Sequence, residues 1–263
     1  MDNNLNKNKS EFAKVLKEIS NKIGITLNDD ETSKFFLYMA LLKEWNEKIN
    51  LTAIVDENEI IIKHFIDSLT VMKYIREYAL ESMPEKPKEK ISISDIGTGA
   101  GFPGIPISIC EKEIAQAKIE VALVDSLEKR VNFLNEVIKQ LQLKNIWAFH
   151  SRAEDLGLNP QYREKFDIAV ARAVASLPVL LEYCLPFVKK DGIFIAMKGS
   201  NVEEEVAQSP KALDILGGKI EKIEQIILPS TDIKRNIIII RKLRQCPTKY
   251  PRKAGKPSKQ PLI

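Results

Sequence analysis

Cysteine, histidine and long apolar runs are scarce in the 263-residue sequence. Cys110, Cys184 and Cys246 are the only cysteines, and no pair has the spacing of a zinc knuckle or a redox CxxC motif. A reducing cytosol is therefore the expected setting, and no metal site is expected. No apolar stretch approaches the roughly 18 residues of a membrane helix, and the start Met1-Asp2-Asn3-Asn4-Leu5-Asn6-Lys7 has no apolar signal core. The expectation is a soluble, cytoplasmic chain with no membrane partner. With 11 glycines, 13 prolines and no internal repeat, collagen-like, low-complexity and solenoid readings fall away. His64 and His150 are the only histidines, and neither has a catalytic partner visible in the sequence.

What the chain does have is a globular composition, 44% hydrophobic and 29% charged, long enough for one large domain or one domain with an extension. The net charge of +4 is unevenly placed: residues 241–263 hold eight lysines or arginines and no acid, leaving 32 basic against 36 acidic residues upstream. The basic character lies in the tail.

Phe12, Val15, Leu16, Ile19 and Ile23 recur at helical spacing, as do Phe35, Met39, Leu42, Trp45 and Ile49. Asn28, three residues before Glu31, predicts an N-cap for the second helix. Ile61, Phe65, Leu69, Met72 and Ile75 mark a third. The charged, proline-broken stretch Glu81–Lys90 is the candidate boundary. Beyond it come short β-branched runs at Ile91–Ile96, Ile119–Val124, Ile146–Phe149, Phe166–Val170 and Ile193–Met197, with helical patterns between several of them. Strand and helix in alternation predict a parallel α/β sheet. Two further runs, Lys219–Leu228 and Asn236–Ile240, have no helix-length segment between them and predict antiparallel pairing at one edge.

The first strand leads into Asp95-Ile96-Gly97-Thr98-Gly99-Ala100-Gly101-Phe102-Pro103-Gly104. Glycines there let the backbone turn tightly beside a ligand at the carboxyl edge of the sheet. As Gly99-x-Gly101-x-x-Gly104 with Asp125 further on, the loop fits a dinucleotide site. As Asp95-x-Gly97-x-Gly99-x-Gly101 it fits S-adenosylmethionine better, because an acid before the first glycine suits a cationic amino group and not a phosphate. Asp125, ending the second strand, can accept both ribose hydroxyls, or else cap the next helix. Ser151-Arg152-Ala153-Glu154-Asp155 follows the third strand at the same edge and is expected either to meet an adenine ring or, taken alone, to be an ordinary exposed turn. Arg172 follows the fourth strand and is expected either to reach into the cleft or to make a structural salt bridge.

Exclusion narrows the chemistry. The fourth strand ends in Ala171-Arg172-Ala173-Val174 and not in the Asn/Asp-Pro-Pro-aromatic turn that goes with exocyclic amine methylation. Methylation at carbon 5 of a pyrimidine needs a cysteine nucleophile, and all three cysteines read as structural. A substrate with its own lone pair, such as a ring nitrogen, needs alignment and no strong base.

Asn50-Leu51-Thr52, Lys63-His64-Phe65-Ile66-Asp67-Ser68, the loop 95–104, Leu123-Val124-Asp125-Ser126 and Ser151-Arg152-Ala153-Glu154, together and in this order, resemble the RsmG (formerly GidB) family. The resemblance covers nearly the whole chain. It implies a Rossmann-like class I S-adenosylmethionine-dependent methyltransferase: a mostly parallel seven-stranded sheet with an antiparallel edge strand and an N-terminal helical extension. The implied division is extension 1–85, methyltransferase domain 86–243 and basic tail 244–263. The implied reaction is methylation of guanine N7 in 16S ribosomal RNA, with the RNA or the small ribosomal subunit as partner and the enzyme a monomer. Cofactor binding is expected at Asp95, Gly97, Gly99, Gly101, Phe102, Asp125, Ala153, Glu154 and Arg172, with Arg172 also the catalytic candidate that orients the base. Asn50, Lys63, His64, Arg130 and Lys198 are the candidates for contact with RNA. The tail is read as a phosphate-neutralising or merely solubilising segment.

Overall fold

The computed structural model describes residues 2–81, 90–110, 114, 117–172 and 175–263, with side chains from Lys7 onward. Most of the boundary stretch Glu81–Lys90, and Ala173 and Val174 after the fourth strand, lie outside the described residues.

The chain opens with α1 (Asp2–Asn21) and α2 (Asp29–Ile49). α2 starts as the sequence predicts: Glu31 N donates to Asn28 Oδ1 and Asn28 N to Glu31 Oε2, both at 2.9 Å. This reciprocal capping box satisfies two donors that a helix start leaves unpaired. The expected third helix is broken. It runs as α3 (Glu57–Ile60), a π-helical segment Ile61–Ile66 and α4 (Asp67–Leu69), and resumes as α5 (Met72–Glu81). A π-turn frees backbone carbonyls from the regular ladder, and here the carbonyl of Lys63 accepts a bond from Arg172 at 3.0 Å.

Seven strands follow: β1 (Lys90–Ile96), β2 (Lys118–Asp125), β3 (Ile146–His150), β4 (Phe166–Arg172), β5 (Val188–Lys198), β6 (Gly218–Ile227) and β7 (Lys234–Lys242). They form one sheet in the order β3-β2-β1-β4-β5-β7-β6. β1 to β5 are parallel, and β7 pairs antiparallel with both β5 and β6 at the far edge. The intervening helices are α6 (Gly104–Ile109), α7 (Glu128–Gln140), α8 (Ala153–Leu158), α9 (Leu177–Cys184), α10 (Glu203–Ala207) and α11 (Pro210–Leu216). Parallel registry brings the carboxyl ends of β1 to β4 to one edge, as in nucleotide-binding α/β sheets.

Two apolar clusters hold the sheet. One joins α1, α2 and the broken helix to a face carrying Ile91, Ile93, Val121 and Ile168; the other lies on the opposite face around Ile96, Ala169, Leu180 and Phe194. The second cluster includes Cys246, Tyr250 and Leu262. Residues 244–263, read as a phosphate-neutralising or solubilising tail, are packed onto the domain and end in a helical turn, α12 (Lys256–Lys259), with Lys249, Lys253, Lys256 and Lys259 exposed. Lys242 is fully buried and donates to Leu185 O at 2.6 Å. Arg163 donates to the carbonyls of Cys246 and Tyr250 at 2.9 and 2.6 Å. Arg252 clasps the buried Glu182 carboxylate through Nε and Nη2, the shortest contact 2.6 Å. These cations satisfy carbonyls and a buried carboxylate, so the tail's charge is partly spent on folding. Among the described residues no helix is long and apolar enough to cross a membrane.

Candidate active site

The glycine loop turns through left-handed backbone at Gly97, Gly99 and Gly101, with φ of 71°, 61° and 97°. Gly97 N and Thr98 N both donate to Val124 O, which pins the loop to the end of β2. At Gly101 a Cβ would lie 2.7 Å from the Tyr38 hydroxyl oxygen and closer still to Ile105, so any side chain is excluded. Tyr38, on α2, donates its hydroxyl to Ala100 O from the other side.

Asp95 lies beneath this loop, fully buried, and does not face the cleft. Its Oδ2 accepts from Thr98 Oγ1 at 2.6 Å and Gly104 N at 2.8 Å. Among the described residues Oδ1 has no hydrogen-bond partner. Burial pushes its pKa up to about 6, against the pull of those two donors and of Arg172. Asp95 thus shapes the loop through Oδ2.

A cleft of about 480 Å³ runs across the ends of β1, β2 and β3, lined by Gly97, Asp125, Ser151, Ala153, Glu154 and Arg172 among others. Its size suits a nucleoside-sized ligand. Asp125 accepts from Gly99 N and Leu127 N, each at 2.9 Å, and faces Arg130 at 3.4 Å. The carboxylate thus ties the loop to β2 and holds the turn that leads into α7, which has no side-chain cap, yet keeps acceptor capacity at the cleft surface. Glu154, buried at the start of α8, accepts at Oε1 from Gly255 N at 2.9 Å. These groups fit an adenosyl cofactor: a side-chain-free loop for close approach, a carboxylate at ribose height, and a second carboxylate one strand further along.

Arg172 lines the same cleft but does not extend into it. Nη1 donates to Lys63 O at 3.0 Å and meets Asp67 Oδ2 at 3.3 Å, and Nη2 meets His64 Nδ1 at 3.2 Å. Its guanidinium lies 4.9 Å above the Phe102 ring, on which His64 also stacks at 4.5 Å. A guanidinium offers only donors, so His64 Nδ1 is the unprotonated nitrogen, and Nε2–H donates to Thr52 Oγ1 at 2.8 Å. Burial, and then the facing guanidinium, hold the His64 pKa down at about 3. Asp67 takes a second cation, Arg235 from β7, at 3.2 Å. Of the two alternatives for Arg172, the structure shows the salt bridge, with the side chain forming part of the cleft wall and not reaching into it.

The other candidates divide. Phe102 is buried under Arg172 and His64 and does not line the cleft, and neither Gly99 nor Gly101 does. Arg130 lines it. Lys63 pairs with Glu59 at 2.5 Å along its helix. Asn50 closes α2 in left-handed backbone (φ 51°) and lines a separate surface hollow with Asn46 and Thr52. Lys198 is buried, bonded to Ala175 O and paired with Glu205, each at 2.7 Å, so its role in the fold is structural. Sequence reasoning missed Tyr38, Arg235, Tyr183, Gly255 and Ser258. Tyr38 left one trace, as an aromatic on the buried face of α2; the rest sit far from every motif.

The family described as rRNA small subunit methyltransferase G, GidB, matches residues 31–238. The chain is similar to the ribosomal RNA small subunit methyltransferase G of Acetivibrio thermocellus, 58% identical over 249 residues that cover 95% of this chain and 96% of the relative. It is similar also to the protein of that name from Clostridium botulinum, 51% identical over 96% of this chain and 99% of the relative. Among solved structures, an MtNAS variant superposes with a TM-score of 0.50 at 15% identity, covering 86% of this chain and 78% of that one, a likeness of fold alone.

Proposed function

The chain belongs to the small-subunit rRNA methyltransferase G family and uses S-adenosylmethionine, and from that premise we propose that it methylates N7 of a guanine in 16S ribosomal RNA. When bound, the cofactor supplies an electrophilic methyl group on a sulfonium. Guanine N7 presents a lone pair and carries no proton, so the transfer needs alignment and no base.

The observation that carries the reading is the lining of the cleft. Among the described residues that line it there is no cysteine and no histidine, and all three thiols are buried elsewhere. Arg172 stays protonated in any protein setting and cannot accept a proton. Asp125 and Glu154 hold acceptor positions for ribose and adenine, and Gly97 keeps the methionine end free of side chains. Arg172, fixed from behind by Asp67, His64 and the Lys63 carbonyl, gives the base a rigid cationic edge to lie against. The methylated guanine gains a positive charge, which the carboxylates that line the cleft, Asp125 and Glu154, offset. The proposed substrate is the RNA itself or the small subunit containing it, and the proposed compartment is the cytoplasm.

The test is transfer of labelled methyl from S-adenosylmethionine to small ribosomal subunits from a strain lacking this gene, with nucleosides separated after digestion. Label in N7-methylguanosine is the expected result. Label at another atom, or none despite measured cofactor binding, overturns the assignment.

A further inference from the structure

The segment matched by the family ends at residue 238, yet two residues that line the cleft, Gly255 and Ser258, come from beyond it. They sit on the packed segment that follows β7, at the end of the cleft formed by Glu154 and Tyr183. Gly255 N donates to Glu154 Oε1 at 2.9 Å across 101 positions of sequence. No donor among the described residues takes the second oxygen of that carboxylate, so the strap fixes Glu154 and leaves one oxygen for a ligand. Gly255 has φ of 79°, and a Cβ there would meet nothing within 4 Å, so the backbone borders open cleft.

The segment is held on both sides of this point. Arg252 grips buried Glu182, next in sequence to Tyr183, and Pro257 is buried. Lys211 Nζ donates to Ile263 O at 2.9 Å. A loosely attached tail would not place a backbone N–H on a buried carboxylate; a strap anchored before and after Gly255 does.

We propose that residues 252–260 form a wall of the adenine subsite, in which the Gly255 N–H orients the Glu154 carboxylate toward the exocyclic amine of the bound adenosyl group. The proposal rests on the reading of this cleft as the S-adenosylmethionine site. Glu154 contacts ligand, and Gly255 acts through it as a positioning residue.

The experiment is hydrogen exchange of the full-length protein with and without S-adenosylmethionine, read by peptide, beside titrations with S-adenosylmethionine, 5′-methylthioadenosine and methionine. Added protection is expected over 252–260 as well as over 95–101 and 151–154. Gly255→Pro, which removes the donor and, with φ fixed near −65°, also turns the strap away from Glu154, should raise Kd by at least about tenfold, equally for S-adenosylmethionine and 5′-methylthioadenosine. Gly255→Ala, which keeps the N–H, should lose far less. Cofactor binding that protects the loop and leaves 252–260 unchanged overturns the strap's role alone. It would also be overturned by a Gly255→Pro protein that folds and binds normally. A wild-type protein that binds neither adenosyl ligand overturns the cofactor reading and this inference with it.

Discussion

Two segments outside the alternating strands and helices bear on the cleft, one from each face of the sheet, the first through Arg172 and the second directly, and they do so by different physics. The N-terminal helices arrive through the core: Phe35, Tyr38 and Phe65 are fully buried, and behind Phe102 they present His64, Asp67 and the Lys63 carbonyl to Arg172. The carboxy-terminal strap arrives at the rim, through a backbone N–H on Glu154. The first contact sets charge and geometry inside the protein, where leaving a partner unmatched is costly. The second adjusts an acceptor beside solvent. One segment should therefore govern stability and turnover together, and the other mainly affinity.

The sharpest way to break that contrast is Arg172→Ala. It leaves Asp67 buried with Arg235 alone, so a loss of about 3–5 kcal/mol in denaturant unfolding is expected, together with loss of methyl transfer. Unchanged stability would deny the network its structural role.

Acid should expose the same region next. His64 has its folded-state pKa lowered from 6.5 to about 3, so its contribution is fully present above pH 6.5 and is lost as pH falls toward 3. Stability of the wild type should decline over that window by a few kcal/mol, at about 1.4 kcal/mol for each pH unit. His64→Gln should flatten that part of the curve. Asp95 acts in the opposite sense: its pKa is raised from 3.8 to about 6, so it costs stability as pH rises through that interval, and Asp95→Asn removes the cost.

On the strap, Arg252→Ala leaves Glu182 without its fork and should cost about 2 kcal/mol, with weaker cofactor binding and an intact N-terminal network. A full loss of turnover at saturating cofactor would erase the distinction between the two segments. The smallest effect is expected at Lys63→Ala, where an exposed pair with Glu59 is worth less than about 0.5 kcal/mol. If Lys63 touches RNA phosphate, its removal should lower the salt slope of RNA binding by about one unit.

What the sequence revealed follows the range of the interactions. The Asn28–Glu31 capping box, the strand that ends in Asp125 and the glycine loop are local, and each was readable from a few neighbouring residues. The setting of Arg172 was not, because its partners stand 105 and 108 positions away and Arg235 meets Asp67 across 168. The π-helical break in the third helix was hidden for the same reason, since its purpose lies in a carbonyl used by a distant guanidinium. The tail misled because its lysines and arginines dominate its composition, while burial rests on only a few residues, Cys246, Tyr250, Pro257 and Leu262.

The Gly255–Glu154 bond also divides the making of the cleft between two spans of chain. The sheet, the glycine loop and the Arg172 network are complete in the chain by residue 242, the end of β7. A chain cut after β7 would keep the residues of the charge network but lose one side of the cleft, together with the share of the second apolar cluster that Cys246, Tyr250 and Leu262 supply. Removing residues 252–263 should therefore loosen the fold and the grip on the ligand together.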